Sequence, residues 1–315
     1  MGPESARRLS EAGLDPQAVE NLVRVALDED GDVDVTSEPI FAAGETFMGR
    51  FVARQDGVVA GLPVAEVVLE LVGLSIVPST GHAPARDGDR VRPGDVLLTV
   101  GGSTRAMLRA ERTALNFLTH LSGIATATWR WADAVAGTKA RVRDTRKTLP
   151  GLRALQKYAV RCGGGVNHRL SLADAALVKD NHVLAAGKKW LGGARGAEPP
   201  TGSVTKAYEA IRARYPDLHI QVECDTLDQV AEALAAGASS ILLDNMSVAD
   251  MTAAVRVVEG RAELEASGGL TVDRARDVAA IGVDYLAVGA LTHSAPALDI
   301  GLDFTSERPA MNTRP

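Results

Sequence analysis

The 315-residue sequence predicts an α/β protein in two parts, an α+β amino-terminal domain followed by a parallel barrel of βα units. Three observations carry this. Short β-rich runs (ARVRDT, AALVKD, IQVEC, SILLD, AELEAS and YLAVG) alternate with amphipathic helices beginning near Ser203, Thr226, Ser247 and Thr271. The polar residues ending four successive runs, Glu223, Asp244, Ser267 and Gly289, are 21, 23 and 22 residues apart, one βα unit each. The chain is also longer than one hydrophobic core usually organises.

Taken in order, Asp15 and Pro16 form an N-cap and first-turn pair, and Val19, Leu22, Val23, Ala26 and Leu27 follow at helical spacing. From Thr46 to Ser103 alternating runs with Gly-rich turns predict a small sheet, with DGDRVRPGD as a hairpin whose turn has no lysine to carry a swinging arm. Within this region VVAGLPVAEVVLELVGLSIV reads as a core helix followed by a strand, because Pro63, Glu66 and Glu70 interrupt what a bilayer span would need. Met107–Val135 carries helical periodicity broken near Gly123, so two bridging helices are expected. Beyond them the six runs, with a short seventh near Gly165–Asn167, suit a barrel of six to eight strands. The Gly/Pro-rich KKWLGGARGAEPPTG, residues 188–202, reads as a surface insertion.

Composition narrows function. With 34 basic against 40 acidic residues the formal charge is -6, which disfavours a general polyanion binder, and 4% aromatic residues leave few stacking platforms for single-stranded nucleic acid. Two cysteines, Cys162 and Cys224, and an amino terminus without an apolar export core favour a cytoplasmic setting. GxxxxGK[ST], GxGxxG and GxSxG motifs are absent, so nucleotide hydrolysis, Rossmann redox chemistry and serine-hydrolase chemistry are disfavoured.

The carboxyl ends of barrel strands form the active-site face. Alternation sets Gln221 with Glu223, and Glu265 with Ser267, on faces that would point into that mouth. Between Lys139 and Arg169 nine basic residues accompany one acid, Asp144. Arg146 and Lys147, then His168 and Arg169, would line the same mouth as Lys179, which predicts a ligand with more than one anionic group. Glu223 and Asp244 would repel such a ligand unless Mg²⁺ bridged them, directly or through water, or a ribosyl oxocarbenium ion formed beside them. Alternatively these acids cap the following helices. Gly268, Gly269 and Gly289 would let backbone N–H groups approach a phosphate. A Schiff-base aldolase using Lys147 or Lys179 and a nucleic-acid binder built on the basic segment remain alternatives.

Six strings in order, AERTALNFLTHLSGIATAT, DTRKTLPGLRALQKYAVRCGGGVNHRLSL, LVKDNH, LLDNM, EASGGL and VDYLAVGALTHS, resemble the quinolinate phosphoribosyltransferases, or carboxylating nicotinate-nucleotide pyrophosphorylases, from about Val25 to Phe304. The resemblance implies a type II phosphoribosyltransferase with an amino-terminal α/β sandwich and a carboxyl-terminal open or incomplete (β/α) barrel. Its parts would be residues 1–120 with the linking helix, 121–290, and a tail 291–315 returning to the first domain. It implies transfer of phosphoribose from 5-phosphoribosyl-1-pyrophosphate to quinolinate with loss of CO₂, giving nicotinate mononucleotide in NAD biosynthesis, with Mg²⁺. Quinolinate would be held by Arg146, Lys147, His168, Arg169 and Lys179, and by Arg112 from the neighbouring subunit of a homodimer or an assembly of dimers. Glu223 and Asp244 would serve the ribose and Mg²⁺; Ser267, Gly268 and Gly289 would bind phosphate; Lys147, Lys179, Glu223 and Asp244 would be catalytic. EDGDVDVTS, the insertion and Cys224 depart from the usual pattern, and none removes a charged site residue.

Overall fold

The computed structural model describes residues 1–31, 33–78, 84–186 and 202–305. Helices α1 (Pro3–Glu11), α2 (Pro16–Asp28) and α3 (Ser37–Ile40) precede strands β1 (Thr46–Ala53) and β2 (Gly57–Val58). Helix α4 (Leu62–Leu71) leads into β3 (Ser75–Ile76), β4 (Arg90–Val91), β5 (Val96–Ser103) and the long helix α5 (Thr104–Ala134). Next come β6 (Arg141–Arg143), α6 (Arg153–Cys162), β7 (Ala176–Val178), α7 (Asp180–Ala186), α8 (Ser203–Arg214) and β8 (Ile220–Cys224). The chain continues through α9 (Leu227–Ala235), β9 (Ser240–Asp244), α10 (Val248–Val258), β10 (Glu263–Ser267), α11 (Val272–Ala280) and β11 (Tyr285–Ala287). Helix α12 (Ala290–His293) and strand β12 (Ile300–Thr305) complete it.

Two compact units result. One holds Met1–Trp129, Leu149–Gly164 and Leu291–Pro315; the other holds Arg130–Thr148 and Gly165–Ala290.

In the first unit an antiparallel sheet runs β12-β1-β5-β3, so the tail does return to the amino-terminal sheet, as the sequence predicts. Helix α2 starts where expected, Asp15 accepting from the backbone N–H groups of Gln17 and Ala18. Helix α1, which precedes it, was not foreseen. Helix α4 is buried on nearly every side, which explains its unbroken apolar sequence. Three expectations are corrected. DGDRVRPGD joins no paired strands, because β4 pairs with β2 while β5 lies between β1 and β3. Gly123 does not break α5, since a methyl group there would collide with the Pro296 carbonyl; the glycine serves close backbone approach inside one continuous helix. The boundary expected at 120/121 falls instead at Trp129/Arg130, and residues 149–164 join the first unit because α6 buries Leu155, Tyr158 and Ala159 in its core. There the Tyr158 hydroxyl donates to Asp87 Oδ2 at 2.7 Å, and Gln156 Nε2 donates to the Thr292 carbonyl at 3.0 Å.

The second unit is a six-stranded parallel sheet in the order β6-β11-β10-β9-β8-β7. The short seventh segment exists as an isolated parallel bridge between Arg143 and Val166. Helices α9 and α10 begin at side-chain caps from Thr226, in a capping box with Gln229, and from Ser247; Thr271 precedes α11 and Gly202 precedes α8. Residues 188–201 of the expected insertion lie outside the described residues. Among the described residues no helix is long and apolar enough to cross a membrane, and both cysteines are free thiols.

Candidate active site

The parallel sheet is curled. In a flat sheet β6 and β8 would be four strand spacings apart, ~19 Å. Yet His168, just past the bridge to β6, places Nε2 2.8 Å from Gln221 Oε1 on β8, and Arg169 Nη1 donates at 2.8 Å to the Ala175 carbonyl just before β7. The two edges therefore approach each other, although β6 and β7 do not pair among the described residues. This is a barrel-like sheet left open at one seam.

Basic groups gather at that seam. Asp144, fully buried after β6, accepts from Asn167 Nδ2 at 2.6 Å and from the His168 backbone N–H at 2.8 Å, which fixes the NHR segment. Asp174 accepts from the backbone N–H groups of Leu170 and Ser171 at 2.7 and 3.0 Å and closes the following turn. Arg146 and Arg169 are half-buried, and the Nε atom of each is buried without a hydrogen-bond partner among the described residues. Burial, and next the charge of Arg146, hold the Arg169 guanidinium below its ordinary value. Two cations kept close and partly desolvated form an anion-binding arrangement. A cavity of about 290 Å³ is lined by Arg143, His168, Arg169 and Gln221, and by Ala176 and His219 at the amino ends of β7 and β8.

The acidic groups sit on the neighbouring strand ends. Lys179 Nζ donates to Glu223 Oε2 at 3.0 Å. Burial raises the Glu223 carboxyl above its ordinary value; Lys179 opposes this, while Asp244 and Asp180 add to it. Asp225 is raised too, by burial, Asp244 and Asp180 in that order. Asp244 pairs in register with Ser267 on β10, and the Ser267 carbonyl accepts from the Asn245 backbone N–H at 2.9 Å. Gly268 follows at φ +87°, and a side chain on it would strike the Asn245 carboxamide. Only glycine fits this turn. Gly289 stands two residues beyond β11.

The predicted residues thus fall into separate groups: Arg146 with Arg169, whose guanidinium reaches the Ala175 carbonyl at the amino end of β7; His168 against Gln221; and, at the carboxyl ends of the strands, Lys179 with Glu223 and Asp244, and Ser267 with Gly268. Lys147 is exposed, and Arg112 belongs to the first unit, where it is exposed with Nη2 3.5 Å from Asn116 Oδ1. The basic run disperses more than its charge suggested. Lys139 pairs with Asp284 at 2.7 Å, Lys157 is fully buried in the first unit, and Arg161 there donates to the Ala12 carbonyl. Sequence reasoning overlooked Arg143 and the clamp function of Asp144, although a lone acid among nine bases was a signal for the latter. Gln221 and Glu265, expected to face the mouth, are instead both buried at 2% exposure inside the curl.

A curled parallel sheet with guanidinium groups at its seam and carboxylates at its strand ends has the layout of an α/β-barrel protein with charge suited to anionic ligands. Residues 124–303 match the carboxyl-terminal domain, and residues 34–122 the amino-terminal domain, of quinolinate phosphoribosyl transferase. The chain is 49% identical over 291 residues to a nicotinate-nucleotide pyrophosphorylase (carboxylating) of Mycobacterium leprae, covering 91% of this chain and 97% of that one. It is 36% identical to quinolinate phosphoribosyltransferase (decarboxylating) 1b of Nicotiana tabacum, covering 92% and 83% of the two chains. The solved structure of NadC from Streptococcus pyogenes superposes with a TM-score of 0.82 at 37% identity, covering 93% of this chain and 99% of that one. The chain belongs to the quinolinate phosphoribosyl transferase family.

Proposed function

We propose that the protein transfers phosphoribose from 5-phosphoribosyl-1-pyrophosphate to quinolinate and releases CO₂, forming nicotinate mononucleotide and pyrophosphate for NAD biosynthesis. Family membership supports the reaction. The observation that carries the substrate assignment is the Arg146–Arg169 pair, half-buried with Nε atoms that have no partner among the described residues, which suits a ligand bearing two carboxylates.

Arg146, Arg169, His168 and Lys147 orient the pyridine dicarboxylate, and Lys179 bridges that side to the ribose site through Glu223. Glu223 and Asp244 face the anomeric carbon and stabilise its positive charge as pyrophosphate departs. The Ser267–Gly268 turn and Gly289 hold phosphate. Ribosylation makes the ring nitrogen cationic, and that charge stabilises the carbanion left when the adjacent carboxylate leaves as CO₂; transfer therefore precedes decarboxylation. Most of the acceleration comes from charges already in place rather than from a covalent intermediate.

Among the described residues no three His, Cys, Asp or Glu side chains form a metal cage. The mutual charge of Glu223 and Asp244 does fit Mg²⁺, which is held by one or two carboxylates together with waters and ligand phosphates. Bound there, the ion would neutralise the diphosphate leaving group. The exposed Arg112 is the group a second subunit of a homodimer would receive into its site.

The test is product formation. Purified protein with quinolinate, 5-phosphoribosyl-1-pyrophosphate and Mg²⁺ forms nicotinate mononucleotide, and quinolinate outcompetes nicotinate. Preference for nicotinate defeats the proposal.

A further inference from the structure

The interior of the curl holds a polar chain that the proposed reaction does not use directly. Glu265, 2% exposed on β10, accepts at Oε2 from Arg143 Nη1 at 2.7 Å and from Gln221 Nε2 at 3.0 Å. Arg143 is fixed in turn, its guanidinium carbon 3.5 Å above the centre of the Tyr285 ring. The other end of the Gln221 amide faces His168, Oε1 to Nε2 at 2.8 Å.

Donor and acceptor chemistry leaves one assignment. A guanidinium donates only, so the carboxylate of Glu265 is an acceptor in both of its bonds. The amide nitrogen of Gln221 must then face Glu265, which turns its carbonyl oxygen toward the imidazole. A carbonyl oxygen accepts only, so His168 Nε2 carries a hydrogen. A second feature agrees: Glu265 Oε1 has no hydrogen-bond partner among the described residues and lies 4.0 Å from the same Nε2.

We propose that Gln221 and Glu265 are positioning residues that fix His168 as its Nε2–H tautomer at the seam where the dicarboxylate binds. Asp144 holds the backbone of the same residue, and Arg143 anchors the far end of the chain. His168 is thereby fixed in place by one contact and in tautomer by another. The inference rests on the quinolinate reading only for what the histidine touches; the tautomer itself is a property of the free protein.

Two variants separate charge from hydrogen bonding. Glu265→Gln removes the charge but keeps an acceptor for Gln221, whereas Gln221→Leu cuts the chain beside the imidazole. The full chain with ¹⁵N-labelled imidazoles gives long-range proton–nitrogen correlations at about pH 8.5, where an ordinary imidazole is neutral, with the His168 signal identified by its loss in His168→Gln. Wild type and Glu265→Gln show the Nε2–H pattern, and Gln221→Leu loses it. With Gln221→Leu the quinolinate KM rises by about tenfold or more while kcat changes less. An Nδ1–H pattern in the wild-type protein overturns the proposal, as does an unchanged pattern in a folded Gln221→Leu variant. The wild-type spectrum needs no variant to fold and no substrate. It can therefore fail while quinolinate turnover stands, and turnover can fail while the tautomer stands.

Discussion

Lys179 Nζ lies 3.0 Å from Glu223 Oε2, across the carboxyl ends of the adjacent parallel strands β7 and β8. The contact ties the carboxyl end of the edge strand β7 to the acidic end of β8. It also offsets two influences on Glu223, its burial and the charges of Asp244 and Asp180, that favour the protonated carboxyl.

Lys179→Ala removes that opposition. The Glu223 carboxyl then rises further above its ordinary value, so more of it is protonated at a given acidic pH and the acid limb of the kcat/KM profile moves to higher pH. Loss of the ammonium at the substrate lowers kcat by ~10²–10³-fold. Steady-state kinetics over a pH series measure both, and an unmoved acid limb removes Lys179 from this role.

Arg169→Ala and Arg146→Ala each leave one cation where the structure holds two together. Quinolinate affinity falls by ~10²-fold or more, because a charge-assisted bidentate contact is lost from a partly desolvated site. Titration calorimetry reads the affinity directly. In the wild-type protein quinolinate raises the unfolding temperature, since it relieves the repulsion between the two guanidinium groups, and this shift is largely lost in either variant.

Gly268→Ala and Gly269→Ala test the turn after β10. Both positions have positive φ, +87° and +58°, but only at Gly268 would a side chain collide with Asn245, whose backbone N would lie 2.9 Å from the new carbon. Gly269→Ala costs about 1 kcal/mol of backbone strain and leaves KM for the ribose donor nearly unchanged. Gly268→Ala costs more and raises that KM by at least tenfold, because the turn must open. Thermal unfolding and donor kinetics, compared between the two, separate strain from collision.

Glu66 sets a pH dependence of stability. It is buried on α4 beside Arg8 of α1, and burial raises its carboxyl above the ordinary value despite the opposing guanidinium. The folded state therefore keeps a proton that the unfolded chain has already lost, and stability from this group falls as pH rises from the ordinary carboxyl range, ~4, through the raised value. Denaturant unfolding between about pH 4 and 7 shows wild type losing stability relative to Glu66→Gln as pH increases. Asp87, raised in the same sense by burial, leaves a dependence of the same sign in the variant.

Strand-end residues and helix starts were legible because each rests on a local signal. Glu223, Asp244 and Ser267 recur at one βα period, and Thr226 and Ser247 cap the helices that follow. Long-range choices were not legible. Helix α6 carries the same amphipathic pattern whichever core it joins, so nothing in its sequence assigned it to the first unit. Gly123 reads locally as a helix break, and only the approach of Pro296 reveals its purpose. Gln221 and Glu265 were assigned to the correct faces of their strands, yet whether an inward polar residue lies at the rim or inside the curl depends on contacts with Arg143 and His168 from distant strands. The basic run from Lys139 to Arg169, with its nine Lys and Arg residues, misled for a related reason: charge density along the chain does not distinguish residues sharing a seam from those, such as Lys139, that pair on the surface.

In the proposed reaction one site couples ribosyl transfer to decarboxylation. Quinolinate labelled in the carboxyl carbon next to the ring nitrogen, supplied with 5-phosphoribosyl-1-pyrophosphate and Mg²⁺, tests it most directly by counting labelled CO₂ against pyrophosphate. Equal amounts of the two are expected, with no CO₂ when the ribose donor is omitted. Pyrophosphate released with nicotinate as acceptor, while labelled quinolinate yields no CO₂, would contradict that coupling.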